Sequence, residues 1–171
     1  MTEKNFNETN NNNTETIIVS DGVLTIPEGV TEITEGAFAN RTDIIEVKFP
    51  NSLCIIGKKA FLGCTSLEKV RLPESVTEIG VGTFWGCTAL KSVSLPAVKV
   101  IGKSAFLGCK KLFDIKLPDG VISIGEYAFR GCFSLKYVNI PKGATVGKYT
   151  FVYTAFERIT HPEYYKVSPK V

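Results

Sequence analysis

The side chains of this 171-residue chain that are best suited to chemistry are its five cysteines and its single histidine. Four cysteines recur at nearly constant spacing, at Cys64, Cys87, Cys109 and Cys132, whereas Cys54 stands outside that series. A zinc site needs ligands that converge on one point, commonly as closely spaced pairs. One thiol per repeat forms a column instead, although a disulfide between neighbouring repeats stays possible. We expect buried, unreactive thiols that hydrogen-bond weakly to loop backbone.

His161 is the only residue that could act as the base of a Ser-His-Asp or Cys-His arrangement. It stands beside Pro162, and no neighbouring motif supplies a nucleophile or a carboxylate to orient it. No phosphate-binding loop of the G-x-x-x-x-G-K-[ST] type occurs either. The sequence therefore predicts a protein that is not an enzyme and that holds no cofactor and no metal.

Composition and charge narrow the class of protein further. Hydrophobic residues make up 44% and charged residues 22%, as in soluble globular domains. A net charge of +3 is too small to predict binding to nucleic acid, and no apolar run is long enough for a membrane span. The N-terminal residues lack the basic and apolar regions of a secretory signal. These features predict a cytoplasmic protein with reduced thiols, or, as the alternative, a surface protein that leaves the cell by unconventional export.

Two residue types mark an internal repeat that runs through most of the chain. Consecutive members are 21 to 23 residues apart among the prolines and 22 to 23 apart among the phenylalanines; the two series are Pro27, Pro50, Pro73, Pro96, Pro118, Pro141 and Pro162, and Phe38, Phe61, Phe84, Phe106, Phe129 and Phe151. The shared frame is L-P-x-x-V-x-x-I-G-x-x-A-F-x-G-C-x-x-L-x-x-V-x. One such unit cannot bury its own apolar side, so stacked units must bury it against each other. The repeat therefore predicts a solenoid with a packed phenylalanine spine.

Each repeat contains one segment with the alternation of a β-strand. Val70 and Leu72 are predicted to point inward, and Lys69 and Arg71 outward. The proline that follows ends the strand, because it cannot donate to a ladder. The Ile-Gly pair marks a bend at which glycine can take a positive φ. We expect one short strand per coil, with equivalent strands stacked in parallel about 4.8 Å apart.

The frame resembles that of the BspA-like leucine-rich-repeat family over about residues 22 to 162. Six copies carry the resemblance; the first has Asn40-Arg41 in place of Gly-Cys, and the last has lost residues and its cysteine. The resemblance implies a right-handed leucine-rich-repeat superhelix that is mostly β, with a parallel sheet on the concave face and little helix. It also implies protein recognition, since members of the family are known as adhesins and host-binding proteins.

The ends of the array are predicted from local signals. Residues 17–20 and 23–26 flank Asp21-Gly22, which predicts a hairpin that caps the first coil. Open sheet edges at the ends predict a monomer or a weak end-to-end oligomer. The domains expected are a disordered Asn- and Thr-rich tail over 1–15, a leucine-rich-repeat domain of about six repeats with a degenerate last copy over 16–162, and a C-terminal tail over 163–171.

The outward strand positions are the predicted binding surface, since the core does not dictate them. They form three columns: Gly22, Ile45, Glu68, Lys91, Phe113, Lys136 and Glu157; Val23, Glu46, Lys69, Ser92, Asp114, Tyr137 and Arg158; and Thr25, Lys48, Arg71, Ser94, Lys116, Asn139 and Thr160. Exposed aromatics in a charged field are typical of a protein-binding anchor with a polar rim. The predicted partner-binding residues are Lys48, Glu68, Lys69, Arg71, Lys91, Phe113, Asp114, Lys116, Lys136, Tyr137, Asn139 and Arg158, with Phe113, Tyr137, Arg71 and Lys116 as an anchor on neighbouring strands.

The function predicted from the sequence is a protein–protein interaction module, acting as a cytosolic regulator or scaffold in signalling. The alternative is a BspA-like surface adhesin that binds host matrix or cell-surface proteins. In both cases the partner is a protein, and neither nucleic acid nor a membrane span is expected.

Overall fold

The repeats stack into a mostly-β parallel solenoid of about five turns, as the sequence predicts. The computed structural model describes residues 18–160. His161 and both predicted tails lie outside the described residues. In chain order the elements are β1 (Ile18–Ser20), β2 (Val23–Thr25), β3 (Glu32–Ile33), β4 (Glu46–Lys48), β5 (Ile55–Ile56), β6 (Lys69–Arg71), β7 (Glu78–Ile79), β8 (Ser92–Ser94), β9 (Val100–Ile101), β10 (Asp114–Lys116), β11 (Ser123–Ile124), β12 (Tyr137–Asn139), β13 (Thr145–Val146) and α1 (Ala155–Thr160).

Each coil contributes two strands, so the prediction of one strand per coil is wrong. The three-residue strands β2, β4, β6 and β8 pair in parallel, and β10 pairs in parallel with β12. The two-residue strands form a second series, in which β3 pairs with β5, and β7, β9, β11 and β13 follow one another. The second strand forms on the V-x-x-I part of the frame, whose isoleucine is buried. Two residues are too few to show alternation in a sequence, so the Ile-Gly pattern predicts only a bend here.

The strand register sets the columns that the sequence predicts. Lys69 pairs with Ser92, and Asp114 pairs with Tyr137. Within β6 the alternation is as predicted, because Val70 is 1% exposed while its two neighbours in the strand lie on the surface.

The frame phenylalanines form a continuous stack through the core, which confirms the predicted packed spine. Successive ring centroids lie 5.3 to 5.6 Å apart with interplanar angles of 1 to 19°. Phe61, Phe84, Phe106 and Phe129 are fully buried. Burial of one such side chain stabilises the fold by about 1.5–3 kcal/mol, so the stack is a large part of the driving force for coil stacking.

The four frame cysteines are buried and hydrogen-bonded, as predicted. Each Sγ donates to the carbonyl of the phenylalanine in the preceding coil; the bond is 3.1 Å from Cys64 to Phe38 and 3.2 Å from Cys87 to Phe61. Burial raises the pKa of the Cys64 thiol to about 11 and raises that of Cys109 well above its usual value. All five cysteines are free, and only Cys54 is exposed.

The glycines of the Ile-Gly pairs allow close packing between coils, and the interpretation that they serve a bend through a positive φ is wrong. A Cβ on Gly125 would lie 2.5 Å from the Lys103 nitrogen, and one on Gly57 would lie 2.6 Å from the Glu35 nitrogen. Neither glycine has a positive φ. The neighbouring coil therefore passes too close to the glycine for any side chain to fit.

Positive φ values occur instead at two other positions of each turn. The first directly precedes the Ala-Phe or Thr-Phe pair, as at Lys59, and the second is the glycine of Gly-Cys, as at Gly86. Asn40 takes the second position in the first copy with a φ of 60°. Asparagine tolerates the left-handed region better than most residues, which explains this departure from the frame.

The N-terminal cap is the predicted hairpin. Strand β1 pairs antiparallel with β2. Asp21 and Gly22 both have positive φ, at 50° and 77°, as the central residues of a type I′ turn require.

The C-terminal cap is a helix, so the expectation that Glu157, Arg158 and Thr160 continue the strand columns is wrong. The Thr154 hydroxyl accepts the Glu157 N–H at 3.0 Å, and the Glu157 carboxylate accepts the Tyr153 N–H at 2.9 Å. This reciprocal pattern resembles a capping box, except that the carboxylate accepts the N–H of the residue before the N-cap, and it starts α1 where a seventh strand is expected. Phe156 of that helix packs edge-to-face on Phe151, which covers the end of the spine.

The glycine packing predicts a large difference between two alanine substitutions. Gly125→Ala should destabilise the protein by about 1–3 kcal/mol, because the new methyl overlaps backbone of the adjacent coil. Gly120→Ala is the matched control, since a Cβ there meets nothing within 4 Å, and its effect should stay within about 0.5 kcal/mol. Urea unfolding measures both values. Equal unfolding midpoints for the two variants would contradict the close approach of the neighbouring coil to Gly125.

The burial of the cysteines predicts that one thiol of five reacts in the native state. A water-soluble disulfide reagent such as DTNB should modify Cys54 promptly and the other four only after denaturation, because burial both shields them and raises the pKa of three of them. The release of thionitrobenzoate counts the reactive thiols. Cys54→Ser should abolish the native signal, and a residual rapid reaction in that variant would contradict the prediction.

Candidate binding surface

The strand face consists of the outward side chains of β2, β4, β6, β8, β10 and β12, together with the residue that precedes each strand. Eleven of the twelve predicted partner-binding residues lie on it: Lys48, Glu68, Lys69, Arg71, Lys91, Phe113, Asp114, Lys116, Lys136, Tyr137 and Asn139. All are exposed except Glu68, which is half-buried. Arg158 lies in α1 and is not on a strand.

The first part of the strand face is basic. Lys48, Lys69 and Arg71 line a shallow depression with Glu46, above Val47 and Phe49. Within residues 18–160 none of the three cations forms an ion pair. Strand pairing holds their backbones in parallel, so they present a fixed group of positive charges to the solvent.

An ion pair follows the basic part along the first column. Lys91 Nζ donates to a Glu68 carboxylate oxygen at 2.7 Å, and this hydrogen bond lowers the pKa of Glu68. The Lys91 side chain is 51% exposed and that of Glu68 37%, so solvent screens the pair and it contributes little to stability. It neutralises one charge of each sign and separates the basic part from the aromatic part.

The second part of the strand face is amphipathic. The rings of Phe113 and Tyr137 meet edge to face with centroids 6.0 Å apart, and Lys136 Nζ lies 5.4 Å from the Phe113 ring centre. Phe113 is 46% exposed and Tyr137 64%. A depression beside them is lined by Asp114, Lys116, Lys136, Tyr137 and Asn139, with Phe156 from α1.

The four residues of the predicted anchor do not lie together on the sheet. Arg71 pairs with Ser94, so β8 lies between Arg71 and the β10 residue Lys116. The prediction that all four anchor residues sit on neighbouring strands is therefore wrong. Phe113 and Tyr137 do touch, and they form the aromatic centre of the second part.

Asn139 has a structural role in addition to its predicted one. Its amide nitrogen donates to the Leu117 carbonyl and its amide oxygen accepts the Leu117 N–H, both at 2.8 Å. At the equivalent place in an earlier coil, the Leu72 N–H donates to the backbone carbonyl of Ser94 at 3.1 Å. The Asn139 side chain therefore takes the place of a backbone acceptor, which leaves less of its polar surface for a partner.

A second surface group, partly exposed, was missed by sequence reasoning. We call it the tyrosine cluster: Tyr127, Arg130, Tyr149 and Tyr153, all from the turns that follow β11 and β13. The rings of Tyr127 and Tyr149 stack with centroids 5.3 Å apart, and the Arg130 guanidinium lies 5.4 Å and 5.5 Å from the ring centres of Tyr127 and Tyr153. The only signal in the sequence is that tyrosines occupy positions filled by smaller or more flexible residues in other copies.

The three tyrosines have backbone angles that bulky residues rarely adopt. Their φ values are 60° at Tyr127, 59° at Tyr149 and 63° at Tyr153. The left-handed region costs a residue with a Cβ about 1–2 kcal/mol. Tyr149 is 56% and Tyr153 52% exposed, so burial in the core does not offset that cost for these two.

Two other kinds of site can be assessed over the described residues, a metal site and a membrane span. No three His, Cys, Asp or Glu side chains between residues 18 and 160 are grouped as metal ligands. Over the same residues, no helix has the length and apolar character needed to cross a bilayer.

Comparisons with known proteins agree with this architecture. The family model for the BspA type leucine rich repeat region matches in six copies, over residues 20–98 and 89–169. The sequence matches no protein of curated function. Leucine-rich-repeat solenoids are generally protein-interaction modules and generally not enzymes.

Three solved structures resemble the chain. A leucine-rich cell surface protein of Faecalibacterium prausnitzii is 34% identical with a TM-score of 0.67, over 70% of this chain and 32% of that one. A leucine-rich-repeat protein of T. pallidum is 26% identical with a TM-score of 0.67, over 85% and 84% of the two chains. A leucine-rich-repeat protein of Bacteroides ovatus is 26% identical with a TM-score of 0.54, over 77% and 46%.

The chain thus spans about a third of the length of the F. prausnitzii protein, but most of the length of the T. pallidum protein. The six matched repeats cover nearly all of the solenoid, and the chain belongs to the BspA-type leucine-rich-repeat family.

Proposed function

We propose that the protein binds a protein partner through the strand face, with Phe113 and Tyr137 as the central contacts. The observation that carries the proposal is the exposed, mutually packed pair of rings beside Lys136, on a sheet whose positions are fixed by strand pairing. Aromatic residues dominate the binding energy of protein interfaces when they stand near the centre of a polar rim. A rigid surface also loses little conformational freedom on binding.

The basic part of the strand face supports a partner with a complementary acidic surface. Lys48, Lys69 and Arg71 form no ion pair within the described part of the chain, so their charges are available to steer an encounter. Charges at the rim of an interface mainly raise the association rate, and salt screens them. We expect the association rate to fall with ionic strength more than the dissociation rate rises.

We propose two alternative cellular settings for this binding. One is a cytosolic regulator or scaffold in signalling. The other is a surface adhesin for host matrix or host cell-surface proteins, and it is favoured by the description of the F. prausnitzii relative as a cell surface protein. Protease treatment of intact cells separates them, because an adhesin is digested under conditions that spare a cytosolic protein.

The proposal predicts that Phe113→Ala together with Tyr137→Ala weakens partner binding at least about tenfold without unfolding the chain. Both side chains are exposed, so the free energy of unfolding should change by less than about 1 kcal/mol. Proteins captured from a cytosolic lysate and from a matrix extract are quantified by mass spectrometry for wild type and variant.

Phe133→Ala is the matched control, since Phe133 is a 58% exposed aromatic that lies outside the strand face. A partner is a protein retained by the wild type and by the control but lost with the double variant. If every captured protein binds the double variant as well as the wild type, the strand-face proposal fails.

A further inference from the structure

We propose that the tyrosine cluster is a second binding surface, independent of the strand face, and that it takes an acidic segment of a protein partner. The cluster belongs to the turns of the last two coils, whereas the strand face belongs to the three-residue strands. Three observations carry the proposal: the backbone conformation of the tyrosines, the charge state of the surface, and the contacts of Arg130.

The backbone conformation indicates that the fold does not require tyrosine at these positions. The repeat fixes these turns, since the Tyr127 N–H donates to the Lys148 carbonyl at 3.1 Å and the Gly131 N–H to Val152 at 2.9 Å. In the other coils the same two left-handed positions hold Gly36, Lys59, Gly82 and Ser104, and Asn40, Gly63, Gly86, Gly108 and Gly131. Glycine or asparagine would fit Tyr149 and Tyr153 with less strain. Residues held in unfavourable conformations concentrate at functional sites, where the strain is retained for another purpose.

Arg130 is positioned for an anion that the described part of the chain does not supply. Two tyrosine rings hold its guanidinium by cation–π contact, and within residues 18–160 no carboxylate pairs with it. A guanidinium that stacks on rings keeps its N–H edges available, and these edges match a carboxylate in a bidentate geometry. A fixed arginine therefore offers a carboxylate two hydrogen bonds at low entropic cost.

The surrounding charges favour an acidic ligand. Lys148 forms no ion pair within the same residues, whereas Lys103 is neutralised by Glu126 at 2.8 Å. The other nearby carboxylate, Glu157, accepts the backbone N–H of Tyr153 and keeps its negative charge. Arg130 and Lys148 together outweigh that charge, so the surface beside the exposed rings is net positive.

The residue types favour a protein segment over other anions. Tyrosine and arginine are the residues that carry most of the energy at protein-binding surfaces, because each offers a large, stiff contact area together with polar groups. A segment that places Asp or Glu next to a ring or a proline could use the arginine edge and the tyrosine rings at once. A sulfated glycan shares the negative charge, and the experiment distinguishes it.

The test measures binding of the full chain to a fluorescent random copolymer of glutamate and tyrosine by anisotropy. The wild type should bind it with an affinity that falls with salt, and should not bind a lysine–tyrosine copolymer. Arg130→Gln should weaken binding at least about tenfold. Tyr149→Asn with Tyr153→Asn should weaken it similarly, while the thermal midpoint stays equal to or above that of the wild type, because asparagine tolerates the left-handed region.

Two control variants make the result specific. Lys58→Gln removes an exposed positive charge from the same side of the coil, three coils before Glu126, and should leave binding intact. Phe113→Ala with Tyr137→Ala should also leave it intact, so that failure of the strand-face proposal and failure of this one are seen separately.

Heparin is titrated in the same assay as the sulfated-glycan arm. Four results would overturn the inference. The first is no binding to the glutamate–tyrosine copolymer or to heparin. The second is equal loss of binding in Arg130→Gln and Lys58→Gln. The third is binding to heparin but not to the copolymer, which would replace the protein segment with a sulfated glycan. The fourth is a midpoint that falls in the Tyr149 and Tyr153 variant, which would make the tyrosines packing residues.

Discussion

The structure depends on a set of backbone hydrogen bonds that join each turn to the same turn of the next coil. At every junction three N–H groups of one coil donate to three carbonyls of the next; at the first junction these donors are Gly36, Phe38 and Asn40, and at the last they are Tyr127, Phe129 and Gly131. All fifteen of these bonds are 2.6 to 3.1 Å long. Since buried backbone groups must be paired, the bonds fix the register of the coils, and each position of the frame is stacked on itself.

The residue types of the frame are therefore determined more by contacts between neighbouring coils than by contacts within one coil. The Ile-Gly glycine is small because the neighbouring coil passes over it, and the cysteine donates to a carbonyl of the coil before it. This explains the atypical ends. The first copy has Arg41 in place of cysteine, and no earlier copy supplies a phenylalanine carbonyl. In the last copy Thr154 takes that place and begins a helix.

Long-range order was predictable from the sequence because it is repeated, and local departures were not. The proline and phenylalanine series predict the solenoid, the spine and the outward columns, and Asp21-Gly22 predicts the hairpin. The two-residue strands escape detection because they are too short to alternate. The helix at Ala155–Thr160 and the separation of Arg71 from Lys116 by β8 both depend on neighbours that a linear pattern does not show.

The two exposed aromatic groups differ in what their presence says about function. Phe113, which directly precedes β10, and Tyr137 of β12 occupy positions where a bulky side chain is compatible with the backbone, so their exposure alone is weak support for a site. Tyr149 and Tyr153 occupy left-handed positions that other copies fill with glycine, asparagine, serine or lysine, and where a large ring is disfavoured. Two exposed rings at such positions, in contact with Tyr127 and Arg130, therefore point to a role outside the fold. The left-handed turn positions of a leucine-rich-repeat coil accept few residue types without strain. A bulky, exposed residue at such a position is therefore as informative about binding as an exposed residue on a strand.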